Sequence, residues 1–116
     1  MISVGFKTDK GISRGNNEDS VFVLPAHNIY LVADGVGGQN SGQIASRTAV
    51  SYIAQYVKDN SLDNAADDAQ LKKYFSAVFS GANDLVFRRS CSEPVNFGMA
   101  TTMVMCYLKD DIAYVV

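Results

Sequence analysis

Residues 31–38 read Leu-Val-Ala-Asp-Gly-Val-Gly-Gly, an apolar run that ends on a carboxylate and passes straight into glycine. The run has the pattern of the end of a buried strand, which would set Asp34 at the rim of a sheet. The glycines predict a turn directly after Asp34, where backbone can come close to whatever that carboxylate holds. Beyond them the apolar period changes. Ile44, Ala45, Ala49, Tyr52, Ile53, Tyr56 and Val57 recur at intervals of three and four, which predicts an amphipathic helix over 41–58.

Upstream, the spacing of Ile2, Val4 and Phe6 predicts a half-buried strand, followed by a polar loop over 8–17 that carries Arg14. A short strand over 20–24 ends at Pro25, and His27-Asn28 turns the chain into a strand over 29–33. Downstream, residues 59–68 are polar and acidic and predict a connection. A second helix carries Leu71, Tyr74, Phe75, Val78, Phe79, Ala82, Leu85 and Val86 on one stripe, with Arg88 and Arg89 suited to its negative pole. Pro94 ends that pattern. Residues 101–108 predict a strand, Lys109-Asp110-Asp111 a hairpin turn, and 112–116 the opening of another strand. Three strands, two helices and two strands in that order do not alternate as a parallel α/β fold would. They predict an α+β fold, with consecutive helices laid on an antiparallel sheet.

With 116 residues, 47% of them hydrophobic, the chain is one domain's worth and can build a core. A net charge of −2 leaves no electrostatic footprint for nucleic acid or an acidic membrane. No apolar run approaches the roughly 18 residues of a membrane span, and the N-terminus lacks a signal pattern. Cys91 and Cys106 have no CxxC and no supporting histidine, which predicts free, buried thiols in a reducing cytoplasm.

Two acidic clusters carry the chemistry: Arg14-Gly15-Asn16-Asn17-Glu18-Asp19 and Asp34-Gly35. Carboxylates with a backbone carbonyl are the oxygen donors that Mg²⁺ and Mn²⁺ prefer, and the fork of Arg14 can grip two phosphate oxygens. Taken singly, each has a plainer reading: Glu18 and Asp19 as surface charges, Asp34 as a turn residue, Arg14 as a solvated side chain. The glycine loop completes no nucleotide fingerprint. Asn40 stands where GxGxxG needs glycine, and Gln43-Ile44 where a Walker motif needs Lys and Ser/Thr. His27 is the only histidine, and no Ser/His/Asp or Cys/His set can be assembled around it.

Together, Thr8-Asp9-Lys10-Gly11 with Arg14, Asn17-Glu18-Asp19, residues 32–38, Gly42 with Ala45-Ser46, and Phe97-Gly98-Met99-Ala100-Thr101-Thr102 resemble, in order and spacing, the N-terminal half of the bacterial PP2C-type serine/threonine protein phosphatases. The resemblance implies an αββα sandwich of two antiparallel sheets with helix pairs outside. It also implies two Mn²⁺ or Mg²⁺ ions between the sheets. By position Asp34 would bridge both metals and Gly35 would offer its carbonyl to one. Glu18 would ligate that same metal, Asp19 would hold it directly or through water, and Arg14 would bind the substrate phosphate. A metal-bridging water would attack phosphorus in a phosphoprotein substrate. Asp9, Gly38, Gly42 and Ser46 would shape the loop and helix start.

Members of that family run to roughly twice this length, and a Gly-Asp-Ser element and later aspartates complete their metal site. Residues 1–116 would then be the N-terminal portion of one phosphatase domain, cut within a strand and inactive alone. An exposed strand edge would promote self-association. The alternative is a non-catalytic phosphoprotein-binding or oligomerisation module built on an incomplete phosphatase fold.

Overall fold

The computed structural model describes residues 2–116. Four strands, β1 (Asp19–Leu24), β2 (Ile29–Val36), β3 (Ala100–Lys109) and β4 (Ile112–Val115), form one antiparallel sheet in sequence order. Between β2 and β3 run two helices, α1 (Ser41–Asp59) and α2 (Asp68–Ser92). The architecture is α+β, with both helices on one face of the sheet, as the element order predicts.

Alternation along β2 sets what faces where. Ile29, Leu31, Ala33 and Gly35 are buried toward the helices, whereas Val32, Asp34 and Val36 are exposed on the other side. The core joins Ile29 and Leu31 to Ile53 and Val57 of α1, Leu71, Phe75 and Val78 of α2, and Met105 and Tyr107 of β3. An aromatic chain crosses this layer from α1 to β4 through Tyr52, Tyr56, Tyr74, Phe75, Tyr107 and Tyr114, with successive ring centroids 5.6–6.2 Å apart.

Each turn has an identifiable cause. Asn28 takes the left-handed conformation after the short 3₁₀ turn Pro25–His27, which starts β2. Asp110 and Asp111 both have positive φ, the backbone of a two-residue hairpin between β3 and β4. At the start of α2 the Asp67 carboxylate accepts from the Gln70 backbone N–H at 2.8 Å, and the Gln70 side chain accepts from the Asp67 N–H at 2.9 Å. This reciprocal cap satisfies two of the helix's free donors. Asp67→Ala should cost about 1 kcal/mol, a fall of roughly 4 °C in Tm by calorimetry. An unchanged Tm would show that the cap contributes nothing.

Three expectations need correction. Residues 2–7 form no strand: Ile2, Val4 and Phe6 are exposed and lack a ladder partner, and Val4 and Phe6 lie beside Val21 and Val23 on the helix-free face. The turn after Asp34 begins later than predicted. Gly35 and Val36 stay in β2 because Thr101 and Ala100 of β3 continue the pairing, so Asp34 sits within an interior strand. The cysteines are free but not buried. Cys91 is exposed on the last turn of α2, and Cys106 is half-buried on β3 between the inward-facing Met105 and Tyr107.

No helix among the described residues is long and apolar enough to cross a membrane. The helix-free face is rich in valine, with Val32 51% and Val104 47% exposed.

Candidate metal and phosphate site

Register brings the two acidic clusters together. Asp19 of β1 lies directly opposite Asp34 of β2, and Asp34 is in turn opposite Thr102 of β3. Residues directly across a ladder share a face, so both aspartates project on the helix-free side with Thr102. There they line an open cavity of about 370 Å³ whose walls include Lys7, Thr8, Asp9, Ser20 and Val104.

The two aspartates face each other across the β1–β2 ladder. Partial desolvation, the hydrogen bond with Asp34 and the charges of Asp34 and Glu18 push the Asp19 carboxyl above its usual range, while the Arg14 guanidinium opposes the rise. Two carboxylates on one face are an unfavourable pair that a divalent cation would relieve. Their oxygens, with neighbouring backbone carbonyls, are the donors a hard cation takes, so the residues fit such an ion. Among the described residues, however, no three His, Cys, Asp or Glu side chains are gathered into a ready metal cage.

Glu18 has the opposite parity to Asp19 and turns the other way, onto the first turn of α1. A Cβ at Gly42 would meet its carboxyl carbon at 2.7 Å, so a side chain there would push the Glu18 carboxylate aside. Gly35 is held still more tightly. Its N–H donates to the Glu18 carbonyl at 3.1 Å, and a Cβ on it would stand 1.9 Å from the Gly42 carbonyl oxygen. The strand end is therefore pressed against the helix start, with glycine on both sides of the contact. Arg14 is exposed in the loop, within electrostatic reach of Asp19.

The loop itself is tied by side chains. Asp9 accepts from the Gly11 N–H at 2.8 Å, and Gly11 has a φ of +76°. Asn17 donates to the Thr8 hydroxyl at 2.7 Å and accepts from the Asp19 N–H at 3.0 Å. Asn17 thus joins the N-terminal segment to the start of β1. Ser46 of α1 hydrogen-bonds Ser20 of β1 at 2.8 Å. Lys7 and Thr102 also face the cavity, a placement that sequence reasoning misses. For Thr102 the signal was its position in the Ala-Thr-Thr element opposite the Asp34 strand. For Lys7 the sequence carries none.

The family model described as Protein phosphatase 2C matches residues 12–116. The chain is 33% identical over 104 residues to the serine/threonine phosphatase stp of Listeria welshimeri, covering 85% of this chain and 40% of that protein. The crystal structure of the Mycobacterium tuberculosis serine/threonine phosphatase PstP/Ppp superposes with a TM-score of 0.74 at 29% identity, covering 90% of this chain and 41% of that one. A structure of the PstP catalytic domain in complex with two manganese ions shares the fold, with a TM-score of 0.70 at 23% identity over 95% of this chain and 52% of that one. The chain spans between 18% and 45% of the length of the curated relatives it matches. A family model that covers nearly the whole chain and a matching fold with register-aligned aspartates lead to one conclusion: the chain belongs to the protein phosphatase 2C family.

Proposed function

We propose that this chain supplies the phosphate clamp and part of the cation site for hydrolysis of phosphoserine and phosphothreonine in proteins. The observation that supports it is the Asp19–Asp34 pair, two carboxylates facing one cavity from adjacent strands. Asp34, Asp19 and the Gly35 carbonyl would hold Mn²⁺ or Mg²⁺, with Glu18, whose carboxylate rests against the first turn of α1, contributing from the segment just before β1. A bound pair of such ions supplies Lewis acidity, lowering the pKa of water and neutralising phosphoryl oxygens.

The residues present have their own tasks. Asp34, fixed between two ladder partners, keeps its carboxylate in one place without a flexible loop. Asp19 beside it completes a local negative charge that concentrates cations at the cavity. Arg14 offers a planar fork of donors to two phosphate oxygens and so orients the scissile phosphoryl group. These groups offer few oxygens against the six that each octahedral ion requires. The 116-residue chain by itself should therefore bind the metal weakly and turn over little substrate.

Titration with Mn²⁺ followed by amide NMR tests the site. Paramagnetic broadening should centre on Asp19, Asp34 and Gly35, and broadening that spares all three would sink the assignment. Hydrolysis of para-nitrophenyl phosphate at millimolar Mn²⁺ should stay near the buffer blank, and robust turnover would overturn the proposed inactivity of the chain alone. In the Mn²⁺-loaded chain, Arg14→Ala should weaken inorganic phosphate about tenfold or more by ³¹P line broadening. Unchanged phosphate binding would remove Arg14 from the clamp.

A further inference from the structure

Behind the cavity, on the helix side of the sheet, lies a polar cluster that the family chemistry does not use. Asn96 is fully buried and Ser41, the first residue of α1, is 2% exposed. The Ser41 hydroxyl donates to the Val95 carbonyl at 2.8 Å and lies 3.2 Å from Asn96 Oδ1. Asn96 Nδ2 donates to the Glu93 carboxylate at 2.9 Å, and the Asn96 carbonyl accepts from the Met99 N–H at 3.0 Å. The knot thus ties the end of α2, the 3₁₀ turn Pro94–Asn96 and the approach to β3 onto the start of α1.

Both segments that the knot fixes also flank Gly35. On one side the first turn of α1 presents the Gly42 carbonyl against the Gly35 backbone and supports the Glu18 carboxylate. On the other, β3 begins one residue after Met99 and pairs Thr101 with Gly35 and Thr102 with Asp34. Buried polar groups are retained in a core only when satisfied, and a satisfied network holds its members in one arrangement.

We infer that Ser41 and Asn96 are positioning residues, which hold the Gly35 carbonyl and the Glu18 carboxylate in place for the cation by clamping the start of α1 to the start of β3. The inference rests on the reading of those two groups as cation ligands. Neither Ser41 nor Asn96 touches the cavity, so their effect passes entirely through the backbone they hold.

The test compares Ser41→Ala, Asn96→Leu and a core variant, Val78→Ala, chosen to lower Tm by a similar amount. Hydrogen exchange in the metal-free chain reads the clamp directly. The two knot variants should speed exchange of the Gly35 N–H about tenfold relative to amides in the middle of α1, whereas Val78→Ala should shift both together. Mn²⁺ broadening at Asp34 should need roughly tenfold more metal in the knot variants than in Val78→Ala. Combining Ser41→Ala with Asn96→Leu should cost little beyond either alone, because the two act as one unit. Gly35 exchange that tracks the α1 amides in every variant would overturn the inference. If the unaltered chain shows no Mn²⁺ effect at Asp34, the cation site itself fails, while the exchange ratio still reports whether the knot clamps Gly35.

Discussion

Gly35→Ala should lose roughly 3 kcal/mol of stability, a fall of about 10 to 15 °C in Tm. The added methyl would stand 1.9 Å from the Gly42 carbonyl oxygen and 2.9 Å from that of Glu18, both backbone atoms. A flexible side chain could swing away from such a contact, but here a strand must separate from a helix start. Relief would break the Gly35 N–H bond to Glu18 and lift the start of α1 from the sheet. Gly38→Ala is the matched control. Nothing lies within 4 Å of a Cβ there, so its Tm should stay within about 2 °C of the parent. A Gly35→Ala variant as stable as Gly38→Ala would mean that the strand and helix are not pressed together in solution.

Asp34→Asn should move metal binding and metal-free stability in opposite directions. Mn²⁺ affinity should fall roughly 100-fold or more, because a carboxylate central to the donor set is lost. Without metal the same change should stabilise the chain at neutral pH, since it removes the like charge facing Asp19. The sign follows from proton linkage. Asp19 binds its proton more tightly folded than unfolded, through partial desolvation and its neighbour Asp34. That contribution is full below an ordinary aspartate pKa of about 3.9 and is lost as pH rises through the raised folded value. The metal-free parent should therefore weaken as pH climbs from about 4, and Asp34→Asn should flatten the slope. Thermal melts in EDTA across the acid range, beside Mn²⁺ titrations, would show both effects. A less stable metal-free variant would count against the facing-carboxylate geometry. Such a pair keeps a repulsion that only its ligand resolves, a common cost of a functional site.

Most of the fold was legible because hydrophobic period and turn chemistry are local. The period change after residue 40 located α1, the stripe from Leu71 to Val86 located α2, and the element order separated α+β from a parallel fold. Where the reading slipped, a distant segment decided. Residues 2–7 alternate like a strand, but no edge receives them. Gly35 and Val36 look like a turn, yet Ala100 and Thr101, some 65 residues later, keep them paired. The candidate site was legible as a set of residue types but not as an arrangement. Glu18 and Asp19 are adjacent and alike in chemistry, and only strand parity sends one to the helix start and the other to the cavity. The Ser41–Asn96 knot joins residues 55 apart through side-chain hydrogen bonds, for which sequence has no period.

The aromatic chain across the helix layer gives the molecule a built-in optical partition. There is no tryptophan, so ultraviolet absorbance and emission come chiefly from tyrosines, most of them packed between the helices and the sheet. Burial and the nearby Tyr56 push the Tyr74 phenol up to about 12, and its hydroxyl donates to the Asn60 carbonyl at 2.6 Å. Return of the Tyr74 phenol to an ordinary titration would therefore report that α2 has parted from the end of α1, whereas the cavity holding Asp19 and Asp34 has no tyrosine in its walls. Spectroscopy by eye of the tyrosines reads the scaffold, and cation occupancy needs a probe of its own.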